Sequence, residues 1–166
     1  MGFLAPEHAR AGVEVELTMP DDPAWVLGDA AQLRRALLNL LRNAREAATE
    51  AAEERAVAGE PGTPRIVVGV SCKDDRVRTV VQDNGGGIPE DEVDRIFEAF
   101  YTRKAKGTGL GLPTVHQVAT EHGGSVRVAS TGPEGTVFEL DIPACDPPGP
   151  SVSSPNSAAL ADDELV

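Results

Sequence analysis

With 166 residues, 27 acidic against 15 basic side chains and a formal net charge of −12, the chain is one ordinary domain, long enough to bury its own core. That charge argues against a nucleic-acid binder, which needs clustered Lys and Arg to neutralise phosphate, and against docking on an anionic membrane. Cys72 and Cys145 form neither a disulfide framework nor a metal spacing, and there is no signal peptide and no apolar run of transmembrane length, so a soluble, cytoplasmic chain is expected.

Residues 1–12 carry no pattern and read as a linker segment. VEVELTMP (13–20) alternates apolar and polar with period two and predicts a half-buried strand. After the Asp21-Asp22-Pro23 turn, AWVLGD (24–29) predicts a short second strand that ends at a helix start. Asp29 is the expected N-cap, with Gln32 three residues later as its capping-box partner. The helix over 29–55 has one apolar stripe, Leu33, Leu37, Leu40, Leu41, Ala44 and Ala48, while Gln32, Arg35, Asn39, Asn43 and Glu46 project from another face. Its Ala- and Glu-rich far end is expected to be solvated and to fray.

RIVVGVSC (65–72) and RVRTVVQD (76–83) predict a hairpin turning at Lys73-Asp74-Asp75. PEDEVDRIFEAF (89–100) predicts a helix with Pro in its first turn, and LPTVHQVATEHGG (112–124) a helix closed by Gly123 and Gly124. A second hairpin follows, 124–130 and 135–143, turning over 131–134. From residue 144 the chain is rich in Pro, Ser and Asp and reads as a disordered tail. This order predicts an α+β fold, a two-layer sandwich of a mixed sheet with helices on one face, with the ordered domain spanning 13–143.

Three features stand out. DNGGGIP (83–89) follows a strand and GTGLGL (107–112) opens a helix, and each is a glycine-rich turn with unpaired N–H groups of the kind that receives anions. Either alone is equally a plain turn. Asn39 and Asn43 lie four apart, on one face of the long helix, and an Asn oxygen is a good hard ligand for Mg²⁺; alone, they read as two surface asparagines.

Together, N-x-x-x-N-A, D-x-G-x-G-I-P and F-x-x-F followed by G-x-G-L-G-L resemble the ATP-binding domain of bacterial sensor histidine kinases. The wider superfamily includes the ATPase domains of DNA gyrase, heat-shock chaperones and mismatch repair. The resemblance covers roughly residues 13–143 and implies the Bergerat-type ATP-binding fold, with ATP and Mg²⁺ as cofactors. Carried onto this chain, it implies that Asn43 coordinates Mg²⁺ and that Asn39 lines the same site. Asp83 would accept from the adenine amino group, and Gly85 and Gly87 would let the backbone pass close to the base. Thr136 would support adenine recognition, and Phe97 and Phe100 would pack the lid over the nucleotide. Gly107, Gly109 and Gly111 would cradle phosphate, with Ile88, Thr108, Leu110 and Leu112 beside them in the nucleotide-binding set. Lys104, with Arg103, would meet phosphate charge from the lid. The short lid is similar to that of nitrogen-regulation kinases and departs from it at Ala99, Tyr101 and Arg103.

In the superfamily's ATPases a Glu general base stands where this chain has Asn39, which cannot take a proton. The resemblance therefore implies transfer to a histidine, a nucleophile already when neutral, rather than hydrolysis. None of His8, His116 and His122 lies in an acceptor setting. The expected partners are thus a phosphoacceptor histidine hairpin outside this chain and a downstream response regulator, with this chain an isolated, monomeric catalytic domain. The alternatives are a serine kinase of anti-sigma-factor type, or a nucleotide-binding module that transfers nothing.

Overall fold

The computed structural model describes residues 12–103 and 107–147. Its elements are β1 (Glu14–Thr18), α1 (Ala30–Val57), β2 (Arg65–Lys73), β3 (Arg76–Asp83), two 3₁₀ turns (Glu90–Glu92 and Arg95–Phe97), α2 (Gly111–Glu121), β4 (Ser125–Gly132) and β5 (Gly135–Pro143). The strands form one sheet in the order β1-β2-β3-β5-β4. β1 pairs parallel with β2, and all other pairs are antiparallel. The expected α+β sandwich is what forms: the strand parity that points Ile66, Val68, Val81, Phe138 and Leu140 to one face buries them under α1 and α2. Each such side chain contributes about 1.5–3 kcal/mol by leaving water.

The two hairpins follow from their turn residues. Asp74 and Asp75 both adopt positive φ (53° and 56°), the twist that a two-residue hairpin turn requires. In the second hairpin the strands run further than expected, with Thr131 opposite Thr136 and Gly132 opposite Gly135, so the turn shrinks to Pro133-Glu134.

Several expectations fail for tertiary reasons. β1 is not half-buried: all five residues are exposed, Leu17 at 55 %, because β1 is the sheet edge and no helix covers it, while Val13 just before it is buried. Residues 24–29 make no strand. Val26 forms a single bridge to Ala144, and Cys145 N–H donates to the Trp25 carbonyl at 2.9 Å. The stretch 89–100 is not a helix but two 3₁₀ turns. Ile96 must enter the core and Phe97 must meet the His116 ring, 5.9 Å away, and the chain then returns so that Phe100 N–H reaches the Gly109 carbonyl at 2.9 Å. A continuous helix would carry these groups straight past their partners.

The long helix starts as expected and ends differently. Asp29 Oδ1 accepts from Ala31 N–H at 2.7 Å and Gln32 N–H at 3.1 Å, a cap worth about 1 kcal/mol. Gln32 does not complete a capping box. Asp29 N–H instead donates to His122 Nε2 at 3.0 Å. His122 Nδ1 lies 2.8 Å from the Val118 carbonyl, which can only accept, so Nδ1 carries the proton and Nε2 the lone pair. His122 thereby ties the end of α2 to the start of α1. The far end of α1 is only partly solvated: Glu53, Glu54, Ala56 and Val57 are exposed, but Ala51 and Ala52 are buried, and Arg55 donates to the Asn84 carbonyl beyond β3.

Candidate nucleotide site

The site is assembled where α1, the end of β3, the β4–β5 hairpin and the start of α2 meet. Asp83 is the last residue of β3. Parity with Val81 turns it to the helix side, where it is 2 % exposed. Its Oδ1 accepts from Gly85 N–H at 2.8 Å and Thr136 N–H at 3.2 Å, so the carboxylate plane is set by two backbone donors. Thr136 is also buried. Its hydroxyl lies 3.4 Å from that of Thr131, which accepts from Ile88 N–H at 2.7 Å. Thr131 is a member of this network that the sequence reading passed over. Its signal was the hairpin register, because a turn one residue pair tighter sets Thr131 directly opposite Thr136.

Two glycines of 83–89 are explained by the protein itself. A Cβ on Gly85 would lie 2.8 Å from the Ala47 Cβ of α1, and no side chain fits there. Gly87 has φ +79°, and its Cβ would stand 2.2 Å from the Gly132 carbonyl oxygen, so only glycine serves. The loop is therefore pressed between α1 and β4. Gly86 has open space around it.

Asn39 and Asn43 are both half-buried on α1. The Asn39 side chain faces the first residue of α2: its Oδ1 is 3.8 Å from where a Gly111 Cβ would be. α2 is eleven residues long, and its N-cap Leu110 makes no side-chain cap bond and its first turn holds no acidic residue. Its leading N–H groups thus have no anionic cap, and the positive end of the helix dipole is presented beside Asn39. Leu112 packs on the core, whereas Gly107, Thr108 and Leu110 are exposed.

The aromatic pair divides. Phe97 packs on the core and against His116, but Phe100 is 75 % exposed with φ +68°. Of the two expected lid cations, Lys104 lies outside the described residues, and Arg103 Nε is 3.6 Å from Glu92 Oε2.

These residues suit a nucleotide. A buried carboxylate held by backbone donors offers only acceptors to a base edge, which selects an amino group over a carbonyl. Among the described residues no group of three or more His, Cys, Asp or Glu could hold a metal by itself. Another depression, lined by Glu16, Arg65, Val67 and Gln82 and bordered by Asp83 and Asn84, opens on the helix-free face of the sheet and holds the Arg65–Glu16 ion pair. It is separate from the helix-side arrangement.

Residues 28–146 match the model of the histidine kinase-, DNA gyrase B- and HSP90-like ATPases. The chain belongs to this ATPase family. Its relatives include the two-component sensor PprA of Pseudomonas aeruginosa, 38 % identical over 89 % of this chain and 16 % of that protein. The sensory histidine kinase/phosphatase NtrB of Azospirillum brasilense is 39 % identical over 73 % of this chain and 31 % of that protein. The chain thus spans less than a third of the length of either. Among solved structures, the mycobacterial sensor histidine kinase MprB superposes with a TM-score of 0.68 at 33 % identity, covering 83 % of this chain and 86 % of that one. ShkA, solved with AMPPNP, superposes with a TM-score of 0.66 at 30 % identity, covering 84 % of this chain and 27 % of that one. The fold and the family are those of histidine kinase ATP-binding domains. Among the described residues no helix is long and apolar enough to cross a membrane.

Proposed function

We propose that this ATPase-family domain binds ATP with Mg²⁺ and donates the γ-phosphoryl group to a histidine on a hairpin outside the chain, from which a response regulator receives it. The observation that carries the reading is the pairing of the buried Asp83 carboxylate with the uncapped start of α2 across from Asn39. One end suits a base and the other a polyphosphate. In this reading Asp83, braced by Thr136 and Gly85, accepts from the adenine amino group, while Thr131 holds Ile88 and the loop beside it. The leading N–H groups of α2 receive phosphate oxygens, and Asn43 supplies a metal oxygen with Asn39 beside it. Bound Mg²⁺ neutralises phosphate charge.

Asn39 takes no proton and so is no base for a water, which disfavours hydrolysis, whereas the acceptor imidazole brings its own lone pair. In isolation the domain is a monomer, and its setting is the cytoplasm. A calorimetric titration with ATP, with and without Mg²⁺, on wild type and Asn43→Ala tests the site. Wild type should bind with Mg²⁺ dependence, and the variant should lose that dependence. No binding by wild type refutes the reading. Transfer is tested by supplying a histidine hairpin and labelled ATP: the product should be acid-labile, and an acid-stable phosphoserine would overturn the histidine assignment.

A further inference from the structure

Between the two glycine clusters, the expected lid cation Arg103 forms one knot with three side chains outside the nucleotide site, Glu92, Arg95 and Tyr101. Glu92, at the end of the first 3₁₀ turn, has a buried Oε2. Arg103 Nε lies 3.6 Å from that oxygen, and the Tyr101 phenol lies close enough to the same carboxylate to feel its charge. The Arg95 guanidinium carbon stands 4.6 Å from the centre of the Tyr101 ring, a cation–π distance. Burial, and then the Glu92 carboxylate, push the Tyr101 phenol above its ordinary value. The start of this arm is pinned as well. Phe100 N–H donates to the Gly109 carbonyl, and the Phe100 backbone fills the space a Gly109 side chain would need.

Arg103 therefore already has an anionic partner. The contact is loose: 3.6 Å exceeds a hydrogen bond, and the Arg103 side chain is 62 % exposed. Pairs of this kind are worth little in water and exchange readily for a stronger anion. Polyphosphate is such an anion, since it offers several oxygens and more charge to the same guanidinium fork. We propose that Glu92 is a positioning residue which holds the 101–103 arm through Arg103 and competes with nucleotide phosphate for that guanidinium, so that Arg103 changes partner when the triphosphate binds.

This rests on the proposed ATP site. Glu92 thereby makes the site less avid for phosphate than its cations alone would, and it keeps the arm ordered while no phosphate is present.

The test is a double-mutant cycle read by calorimetry of ATP·Mg binding, on wild type, Glu92→Gln, Arg103→Ala and the double variant. Glu92→Gln keeps the side chain's shape and should tighten ATP about two- to fivefold, the range of one exposed ion pair. Arg103→Ala should weaken ATP by a similar factor. In the Arg103→Ala background, Glu92→Gln should change nothing. Adenosine, with no phosphate, should bind wild type and Glu92→Gln alike. An equal gain with and without Arg103 would make Glu92 a bulk negative charge and overturn the exchange. An unchanged affinity in Glu92→Gln, with wild type binding ATP, would overturn the exchange while leaving the nucleotide site standing. Failure of wild type to bind ATP overturns both.

Discussion

Asp83→Asn and Asp83→Ala separate what Asp83 does for the ligand from what it does for the fold. Oδ1 is committed to the N–H groups of Gly85 and Thr136 at 2.8 and 3.2 Å, inside a site where Asp83 is 2 % exposed. In Asp83→Asn the amide oxygen takes over these two bonds, because only it can accept. The NH₂ group is then forced into the position of the second carboxylate oxygen, where it opposes the adenine amino group donor to donor. The loss is a hydrogen bond to a charged acceptor, about 1.5–3 kcal/mol, or about 10- to 150-fold in affinity, with the fold nearly intact. Asp83→Ala instead strands two buried backbone donors at about 1–3 kcal/mol each, a large fraction of a stability of about 5–15 kcal/mol. Its melting temperature should fall by at least about 5 °C. Calorimetry with ATP and GTP, alongside thermal melts, reads both effects. If Asp83→Asn binds ATP like wild type, Asp83 does not read the base. If Asp83→Ala melts with wild type, the carboxylate does not brace the loop.

Further outcomes follow from close contacts. Gly85→Ala should cost about 1–3 kcal/mol from overpacking, because its new Cβ would sit 2.8 Å from that of Ala47. Adding Ala47→Gly should cost less than the two single losses summed, and strict additivity in urea unfolding would refute this contact. Gly28→Ala would place a Cβ 2.2 Å from the His122 ring, displacing the acceptor of Asp29 N–H at about 1 kcal/mol. It should add little once His122→Ala is present, and a full extra loss there would place the strain elsewhere. Tyr101 is the sole tyrosine, so an ultraviolet titration reports it alone. Its midpoint should lie above 10.0 and fall in Glu92→Gln, and a midpoint unmoved by that change would contradict the contact. Because the folded state holds the phenol proton more tightly, this stabilisation is present below the unfolded midpoint and is lost as pH rises through the folded one.

The elements legible in the sequence were those whose physics is local. The α1 stripe, the Asp29 cap and the Asp74-Asp75 hairpin each depend on neighbours within a few residues, and they form where spacing and turn chemistry place them. The family resemblance brought Asp83, Asn39, Asn43 and Thr136 into one expected site; the fold puts Asp83 beside Thr136 and Asn39 beside Gly111, with Asn43 one turn further along α1. Only the tertiary structure could decide the rest. Whether β1 is covered depends on where helices lie. Whether 89–100 winds into a helix depends on Ile96 and Phe97 meeting partners from α2. Asp29 N–H goes to His122, 93 residues away, rather than to Gln32, and Thr131 joins the site through a hairpin register fixed by a two-residue turn. Arg103 has Glu92 as a partner because the chain doubles back between the glycine clusters. In each case the deciding energy is a contact between distant segments, and local pattern carries no information about which distant group arrives first.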